Sequence, residues 1–169
     1  MIDKAIFDSE ELSLKESLNR SETIINDKLG IIKTLTKNDF YPDEPKFYQY
    51  TAQLCDVKTF SDVHTHDKFV GGLSFIKERA MMKTLGEAIE RYCLSIYKKD
   101  NMLFETFTKI KTVALNPQKV VSVSKRQLGL PEFEDFQIDN NSKLCWTVGY
   151  SIFRKNCIFV PSQLVYVPY

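Results

Sequence analysis

From Phe75 to Lys99 proline is absent and Gly86 is the only glycine, and apolar side chains recur at helical spacing. A stretch of this kind predicts one long helix over about residues 75–98, with Ser74 placed to cap its first turn. At about 100° per residue, apolar side chains recur along one side of this helix. The predicted core face consists of Met81, Leu85, Ala88, Ile89, Tyr92 and Ile96.

Short segments rich in β-branched and aromatic residues, bounded by turn residues, predict strands before and after the helix in the sequence. Two precede it, at residues 29–35 and 47–54, and two follow it, at residues 145–150 and 157–160. The last two flank a polar break at residues 154–156, which predicts an antiparallel hairpin. The expected fold class is α+β, with an antiparallel or mixed sheet packed against the long helix.

The charge balance restricts the partners of the chain. Its 169 residues include 23 Lys and Arg against 22 Asp and Glu, a net charge of +1. Charge this balanced produces no long-range field, so we expect neither a nucleic-acid nor a membrane partner. The apolar runs are far shorter than the roughly 20 residues of a spanning helix, and the first residues do not resemble a secretory signal. A cytoplasmic location is therefore expected, with the four cysteines as small buried hydrophobes.

Three charged residues fall together on the side of the helix opposite the predicted core face: Lys83, Glu87 and Glu90. The two carboxylates, at i and i+3, point the same way. Gly86 beside them costs about 1 kcal/mol relative to alanine, which suggests close approach of a ligand or another backbone. Paired carboxylates suit a magnesium ion shared with phosphate oxygens. A solvated helix face neutralised by Lys83 and Arg91 explains the pair as well, and the residues alone favour it.

A resemblance to a known family instead favours the magnesium site over the solvated helix face. The segment Gly71-Gly72-Leu73-Ser74, followed by Ala80 and by Thr84 through Tyr92, resembles the characteristic helix of the YcaO family. Arg20 through Ile32 and Trp146 through Tyr166 resemble further stretches of its azoline-forming members. The resemblance thus extends over nearly the whole chain after a lead segment. We divide the chain into residues 1–19, a helical or flexible lead, and residues 20–169, the N-terminal half of a YcaO-like domain.

The resemblance implies an enzyme that uses ATP and Mg²⁺ to phosphorylate a peptide backbone amide oxygen. A neighbouring Cys, Ser or Thr side chain of a ribosomally made precursor peptide then attacks the amide carbon and forms an azoline, while relatives make thioamides or amidines. Glu87 and Glu90 match the family's two helix carboxylates that hold magnesium and the ATP phosphates, and Arg91 supports them. The remaining residues assigned to cofactor binding are Lys83, Gly71, Gly72 and Ser74. No residue is assigned as catalytic.

The sequence also departs from the family pattern. Leu73, in the glycine turn expected before the helix, and Lys83 stand where many members carry a lysine and a serine. Lys83 could reach a phosphate, although a salt bridge to Glu87 at i+4 is the favoured interpretation. Family domains are roughly twice this length and add a second carboxylate-bearing helix. We therefore expect the isolated chain to be inactive and to need a separate C-terminal half, a partner protein or a second copy of itself.

Two other candidate sites are weaker, and a second function class remains open. The segment containing Asp62, His64, His66 and Asp67 could bind zinc, but a polar loop is the favoured interpretation. Lys119, Lys125 and Arg126 could contact a peptide or nucleic acid, but a solvated strand edge is favoured. The alternative function is a non-catalytic module that binds a precursor peptide or partner protein through exposed sheet edges.

Overall fold

The structure is a computed structural model that describes residues 11–57, 68–120, 124, 126–136 and 138–166. The chain forms two compact units, the first running through Tyr97 and the second beginning at Lys98. Each unit contains a three-stranded antiparallel sheet, so the predicted α+β class is confirmed. Within the described ranges, no helix is both long and apolar enough to cross a membrane.

In the first unit the longer of two helices packs against the sheet, and the shorter helix packs against the longer one. Its elements are α1 (Leu14–Glu22), β1 (Ile32–Lys37), β2 (Tyr48–Leu54), β3 (Phe69–Ser74) and α2 (Lys77–Leu94). The strands lie in the order β1-β2-β3. The two strands predicted ahead of the helix are confirmed with slightly shifted bounds, and a helix forms within the polar stretch near the start of the chain.

Helix α1 begins at a complete capping box. The Ser13 hydroxyl accepts a hydrogen bond from the Glu16 N–H at 3.3 Å, and the Glu16 carboxylate accepts one from the Ser13 N–H at 3.0 Å. These contacts satisfy two backbone groups that a helix start otherwise leaves unpaired. The Ser13 hydroxyl, which donates to the Glu16 carboxylate, and then the Ser13 N–H lower the pKa of Glu16. Leu18 then attaches the helix to the core of the unit.

Helix α2 is shorter than predicted and begins differently. Ile76, not Ser74, occupies the N-cap position, so the prediction of a Ser74 cap is wrong. Ser74 pairs with Tyr48 as the last residue of β3, which keeps it in the extended strand, and its hydroxyl accepts from the Ile76 N–H at 3.3 Å. At the other end the Ser95 hydroxyl donates to the Arg91 carbonyl at 2.6 Å. Ile96 therefore lies beyond the helix and is 40% exposed, outside the core.

The core of the first unit forms where α2 lies on the sheet. Leu85 and Ala88 are fully buried as predicted, but so are Ala80 and Thr84, which the apolar pattern missed. The Thr84 hydroxyl lies 2.9 Å from the Ala80 carbonyl and 3.3 Å from that of Tyr50, so this buried polar group is satisfied. The other predicted core residues of the helix, Met81, Ile89 and Tyr92, are half-buried. The sheet contributes Ile32, Tyr50, Ala52, Leu54 and Val70.

The glycine pair ahead of α2 is part of a strand rather than a turn. Gly71 and Gly72 pair with Thr51 and Tyr50 in β3, which corrects the sequence expectation. A Cβ on Gly72 would lie 2.7 Å from both the nitrogen and the hydroxyl oxygen of Thr84, so α2 approaches this strand too closely for a side chain. A Cβ on Gly86 would meet nothing within 4 Å. The close backbone approach expected at Gly86 therefore occurs at Gly72 instead.

The second unit contains the predicted hairpin. Its elements are β4 (Leu103–Thr106), the short helix α3 (Phe107–Ile110), β5 (Lys143–Ser151) and β6 (Asn156–Pro161), with the strands in the order β4-β5-β6. Strands β5 and β6 pair antiparallel across a turn in which Lys155 has a φ of 51°. The 3₁₀ turns described along the chain lie at Lys99–Asn101, Pro117–Lys119, Gln127–Gly129, Pro131–Phe136 and Ser162–Leu164. Strand β4 was not predicted from the sequence.

Trp146 lies at the centre of the second unit and is fully buried. Its indole N–H donates to the Glu105 carbonyl of β4 at 2.8 Å, which satisfies the polar end of the ring. Ala114 and Leu144 complete the buried cluster, and Phe107 packs beside it. The unit therefore has a core of its own.

Candidate active site

A cleft of about 690 Å³ opens between β3 and α2 in the first unit. It is lined by Gln49, Gly71, Gly72, Leu73, Lys83, Glu87 and Glu90. Five of the seven residues that the sequence assigned to cofactor binding thus meet in one place. The other two, Ser74 and Arg91, are not among the residues that line the cleft in the described part of the chain.

The local secondary structure explains why the charged groups face the same opening. Lys83, Glu87 and Glu90 are spaced at four and three residues along α2, so they share one side of the helix. Gly71 and Gly72 stand opposite on β3 and contribute no side chains that could fill the space. The charged side chains of α2 therefore border a cavity instead of packing against the strand.

Glu87 forms its ion pair with Arg91. The Arg91 Nε donates to the Glu87 Oε1 at 2.9 Å, and both side chains are only partly exposed. The predicted pairing of Glu87 with Lys83 is wrong, because the Lys83 amine reaches across to β3 and donates to the Leu73 carbonyl at 3.2 Å. Arg91 thus holds the first carboxylate in position from one turn farther along the helix, as a supporting residue would.

Glu90 is the less constrained of the two carboxylates. It is exposed, and no hydrogen bond or ion pair engages its side chain among the residues that the structure describes. Glu87 keeps one oxygen, Oε2, outside its bond to Arg91. Lys83 retains two further N–H donors besides the one directed at Leu73. The cleft therefore offers carboxylate oxygens for a cation and an ammonium group for an anion.

This donor set matches the chemistry of magnesium bound together with phosphate. Magnesium prefers oxygen ligands and is usually held by one or two carboxylates, with phosphate oxygens and water completing its coordination. Over the described residues, no group of three or more His, Cys, Asp or Glu side chains could hold a metal ion. The oxygens of Glu87 and Glu90 fit a cation that shares its ligands with a nucleotide, and they do not form a closed cage of protein ligands.

Sequence reasoning missed Gln49. It lies on β2 directly opposite Leu73 in the strand register, which brings it to the cleft. No local pattern marks Gln49, because its place at the cleft follows from the pairing of β2 with β3.

Two titratable groups of the first unit stay neutral near pH 7. Burial raises the pKa of the Tyr92 phenol, and the nearby thiols of Cys55 and Cys93 raise it further. Burial also raises the pKa of the Cys55 thiol. The charge of the described site therefore comes from Lys83, the two glutamates and Arg91.

No residue of the weaker candidate sites that the structure describes lines this cleft. Asp62, His64, His66 and Asp67 lie outside the described residues, as does Lys125 of the basic cluster. The other two members of that cluster, Lys119 and Arg126, are exposed.

The fold and the cleft define an α+β protein with paired helix carboxylates beside a glycine-containing strand. The family described as "YcaO cyclodehydratase, ATP-ad Mg2+-binding" matches residues 71–169, more than half of the chain. The chain therefore belongs to the YcaO family, whose cofactors are ATP and Mg²⁺ and whose function is that of an ATP-dependent cyclodehydratase. No curated protein sequence is similar enough to count as a match.

Two solved structures share the fold. A heterocyclase in complex with substrate and cofactor is 18% identical with a TM-score of 0.68, over 94% of this chain and 23% of the heterocyclase chain. YcaO from Methanopyrus kandleri, bound with AMPPCP and Mg²⁺, is 10% identical with a TM-score of 0.57, over 94% of this chain and 34% of its own. The chain thus spans about a quarter to a third of the length of these proteins.

Proposed function

We propose that this chain supplies part of an ATP and Mg²⁺ site that activates backbone amides of a peptide for cyclodehydration. The observation that carries the proposal is the convergence of Glu87, Glu90 and Lys83 on one open cleft opposite Gly71 and Gly72. Membership in a family that binds ATP and Mg²⁺ supports the same assignment. When bound, ATP supplies the phosphoryl group for the amide oxygen, and Mg²⁺ neutralises charge on the phosphates.

Each residue of the cleft has a distinct role in this proposal. Glu87 and Glu90 provide carboxylate oxygens for Mg²⁺, and Arg91 orients Glu87 through its bond to Oε1. Lys83 contributes positive charge for a phosphate group. Gly71 and Gly72 keep the opposite wall low enough for a ligand to approach the strand backbone. Ser74 stands at the end of the same strand, where its hydroxyl accepts from the Ile76 N–H, and we assign it a positioning role.

The proposed substrate is a ribosomally made precursor peptide whose Cys, Ser or Thr side chain attacks the activated amide to form an azoline. The solved heterocyclase with bound substrate supports this class of ligand by similarity of fold. Two carboxylates leave most of the six positions around magnesium to phosphate, water or another polypeptide. We propose that a further chain segment contributes some of these ligands, supplied by a separate half, a partner protein or a second copy, and that the complex acts in the cytoplasm.

Calorimetric titration of Mg²⁺-ATP into the purified chain tests the nucleotide site. We expect saturable binding that weakens about tenfold or more, about 1.4 kcal/mol, in Glu87→Gln and in Glu90→Gln. Glu78→Gln is the matched control, because Glu78 lies in the first turn of the same helix but does not line the cleft. Circular dichroism of each variant verifies that the helix is retained.

Equal affinity of the parent, Glu87→Gln and Glu90→Gln would show that the nucleotide lies elsewhere. Absence of binding in a chain that is folded would contradict the proposed site and support the alternative of a non-catalytic module for a peptide or partner protein. Binding of ATP without magnesium dependence would remove the metal role of the two carboxylates while leaving Lys83 as a phosphate contact.

A further inference from the structure

A second cleft, of about 330 Å³, opens in the unit that begins at Lys98. Three basic side chains border it: Lys111 directly after α3, Lys119 at the end of a 3₁₀ turn, and Arg154 in the turn between β5 and β6. We refer to it as the basic cleft. Its size falls at the lower end of the range typical of ligand sites.

The positive charge of the basic cleft is uncompensated. Among the described residues, no carboxylate pairs with any of the three cations, and no acidic side chain lines the cleft. Lys109 nearby in the sequence shows the contrast, because it is paired with Glu105 at 3.0 Å. In a chain with a net charge of only +1, three unpaired cations around one concavity form a local attraction for anions.

The walls between the cations are apolar. Phe107, Ala114 and Ile158 line the same cleft, and each is buried or half-buried. A free inorganic anion would leave these apolar groups unused. The lining instead suits a ligand that combines an apolar side chain with at least two negative charges.

The backbone beside the cleft favours a peptide as that ligand. The Phe159 N–H donates to the Val113 carbonyl and its carbonyl accepts from the Leu115 N–H, both at 2.8 Å, so this edge of β6 already pairs with another backbone through an isolated bridge at Ala114. By the alternation of an antiparallel strand, the backbone of Cys157 faces the same edge. No described residue is hydrogen-bonded to it, and Cys157 is exposed and adjacent to Ile158 of the cleft. An added peptide strand could continue the pairing there.

We propose that the basic cleft binds an acidic peptide segment in extended conformation, with carboxylates at Lys111, Lys119 and Arg154 and an apolar side chain between them. Every residue that carries this site belongs to the second unit, whereas the residues of the proposed nucleotide site belong to the first.

The test uses the full chain and a fluorescein-labelled peptide of ten alternating glutamate and leucine residues, with binding followed by fluorescence anisotropy. The cleft variant combines Lys111→Gln, Lys119→Gln and Arg154→Gln. The control variant removes the same charge from exposed lysines of the first unit through Lys28→Gln, Lys37→Gln and Lys46→Gln. We expect the parent and the control to bind equally and the cleft variant to bind about tenfold more weakly or worse.

Further measurements identify the ligand, and one of them uses phosphatidylserine vesicles, to which the chain should not bind. A peptide with glutamine in place of glutamate should bind much more weakly, and so should one with alternate N-methylated amides, which cannot pair fully with the edge. Millimolar inorganic phosphate should not displace the acidic peptide. Glu90→Gln should leave binding of the acidic peptide unchanged. The peptide result then does not depend on whether the proposed nucleotide site is correct.

Several results would overturn the proposal. Equal weakening in the control variant would reduce the effect to overall charge, and equal binding of the glutamine peptide would remove the role of the cations. Full displacement of the acidic peptide by phosphate would show that the basic cleft is a simple anion site. Binding to phosphatidylserine vesicles without binding to the peptide would assign a membrane surface. Tryptophan fluorescence of the cleft variant verifies that the second unit remains folded, since Trp146 lies in its core.

Discussion

Replacing Gly72 by alanine should destabilise the first unit, whereas the same replacement at Gly86 should stabilise it. The two glycines lie on opposing elements, Gly72 in β3 and Gly86 in α2. A Cβ at residue 72 would lie 2.7 Å from the Thr84 nitrogen, 2.7 Å from its hydroxyl oxygen and 2.9 Å from the Lys83 Cβ. Two of these atoms belong to the helix itself or to the base of a side chain, so relief requires α2 to shift.

The magnitude follows from the cost of overpacking. Inserting a methyl group into a close-packed site costs typically about 1–3 kcal/mol. Replacing glycine also reduces the conformational entropy of the unfolded chain, and this effect offsets about 0.4–1 kcal/mol of that cost. We therefore expect Gly72→Ala to lower the free energy of unfolding by about 1–2 kcal/mol. At Gly86 the added Cβ meets nothing within 4 Å. Gly86→Ala should therefore raise the free energy of unfolding by about 0.5–1 kcal/mol, because alanine has the higher helix propensity.

Urea unfolding followed by far-ultraviolet circular dichroism measures both effects, because α2 is the longest helix of the described chain. The double variant Gly72→Ala with Thr84→Ala tests the geometry further. It removes the clash with the hydroxyl oxygen but leaves the clash with the backbone nitrogen, so it should not recover the stability of Thr84→Ala alone. A Gly72→Ala protein as stable as the parent would refute the close approach of β3 and α2. A destabilised Gly86→Ala protein would refute the open surroundings of Gly86.

Three other perturbations have definite expected outcomes. Leu85→Asp should lower the free energy of unfolding by about 4 kcal/mol or more and unfold the first unit, because it places an unpaired charge at a fully buried position. Retention of the native circular dichroism spectrum would contradict the assignment of Leu85 to the core. The Thr106 N–H lowers the pKa of Glu105 below its usual value near 4.5, so this carboxylate contributes stability above about pH 4.5 that is lost as the pH falls through its folded pKa. The stability difference between the parent and Glu105→Gln, measured by urea unfolding with tryptophan fluorescence, should therefore shrink below pH 4.5, and a constant difference would exclude the linkage. Finally, burial raises the pKa of the Cys55 thiol. Iodoacetamide at pH 8 should therefore label Cys55 more slowly than the exposed Cys93, as measured by peptide mass spectrometry. Equal labelling rates would contradict the burial of Cys55.

Much of the secondary structure could be predicted because its causes are local. The proline-free stretch forms a helix, and Leu85 and Ala88 fall on its buried face, as the helical period requires. The hairpin of β5 and β6 forms around a polar turn, as its pattern predicts. The spacing of Glu87 and Glu90 is enough to place both carboxylates on one side of the helix.

The errors came from features that depend on neighbours distant in the sequence. Ser74 was expected to cap α2, but strand pairing with Tyr48 holds it in β3. The apolar pattern left Thr84 out of the core, yet it is fully buried there, with its hydroxyl 3.3 Å from the carbonyl of Tyr50, 34 residues earlier in the sequence. Local propensity cannot anticipate a partner that only the packed sheet supplies.

The sequence by itself determined the α+β class, the long helix, the family resemblance and the pair of carboxylates that the helical period aligns. Only the tertiary structure decided that Glu87 pairs with Arg91, that Lys83 contacts the Leu73 carbonyl, and that Gln49 joins the cleft. It also decided that Gly72 in β3 allows close packing against α2 and that neither glycine of β3 forms a turn. The physical reason is the range of the interactions: periodicity fixes directions along one element, whereas distances between side chains on different elements are set by how those elements pack.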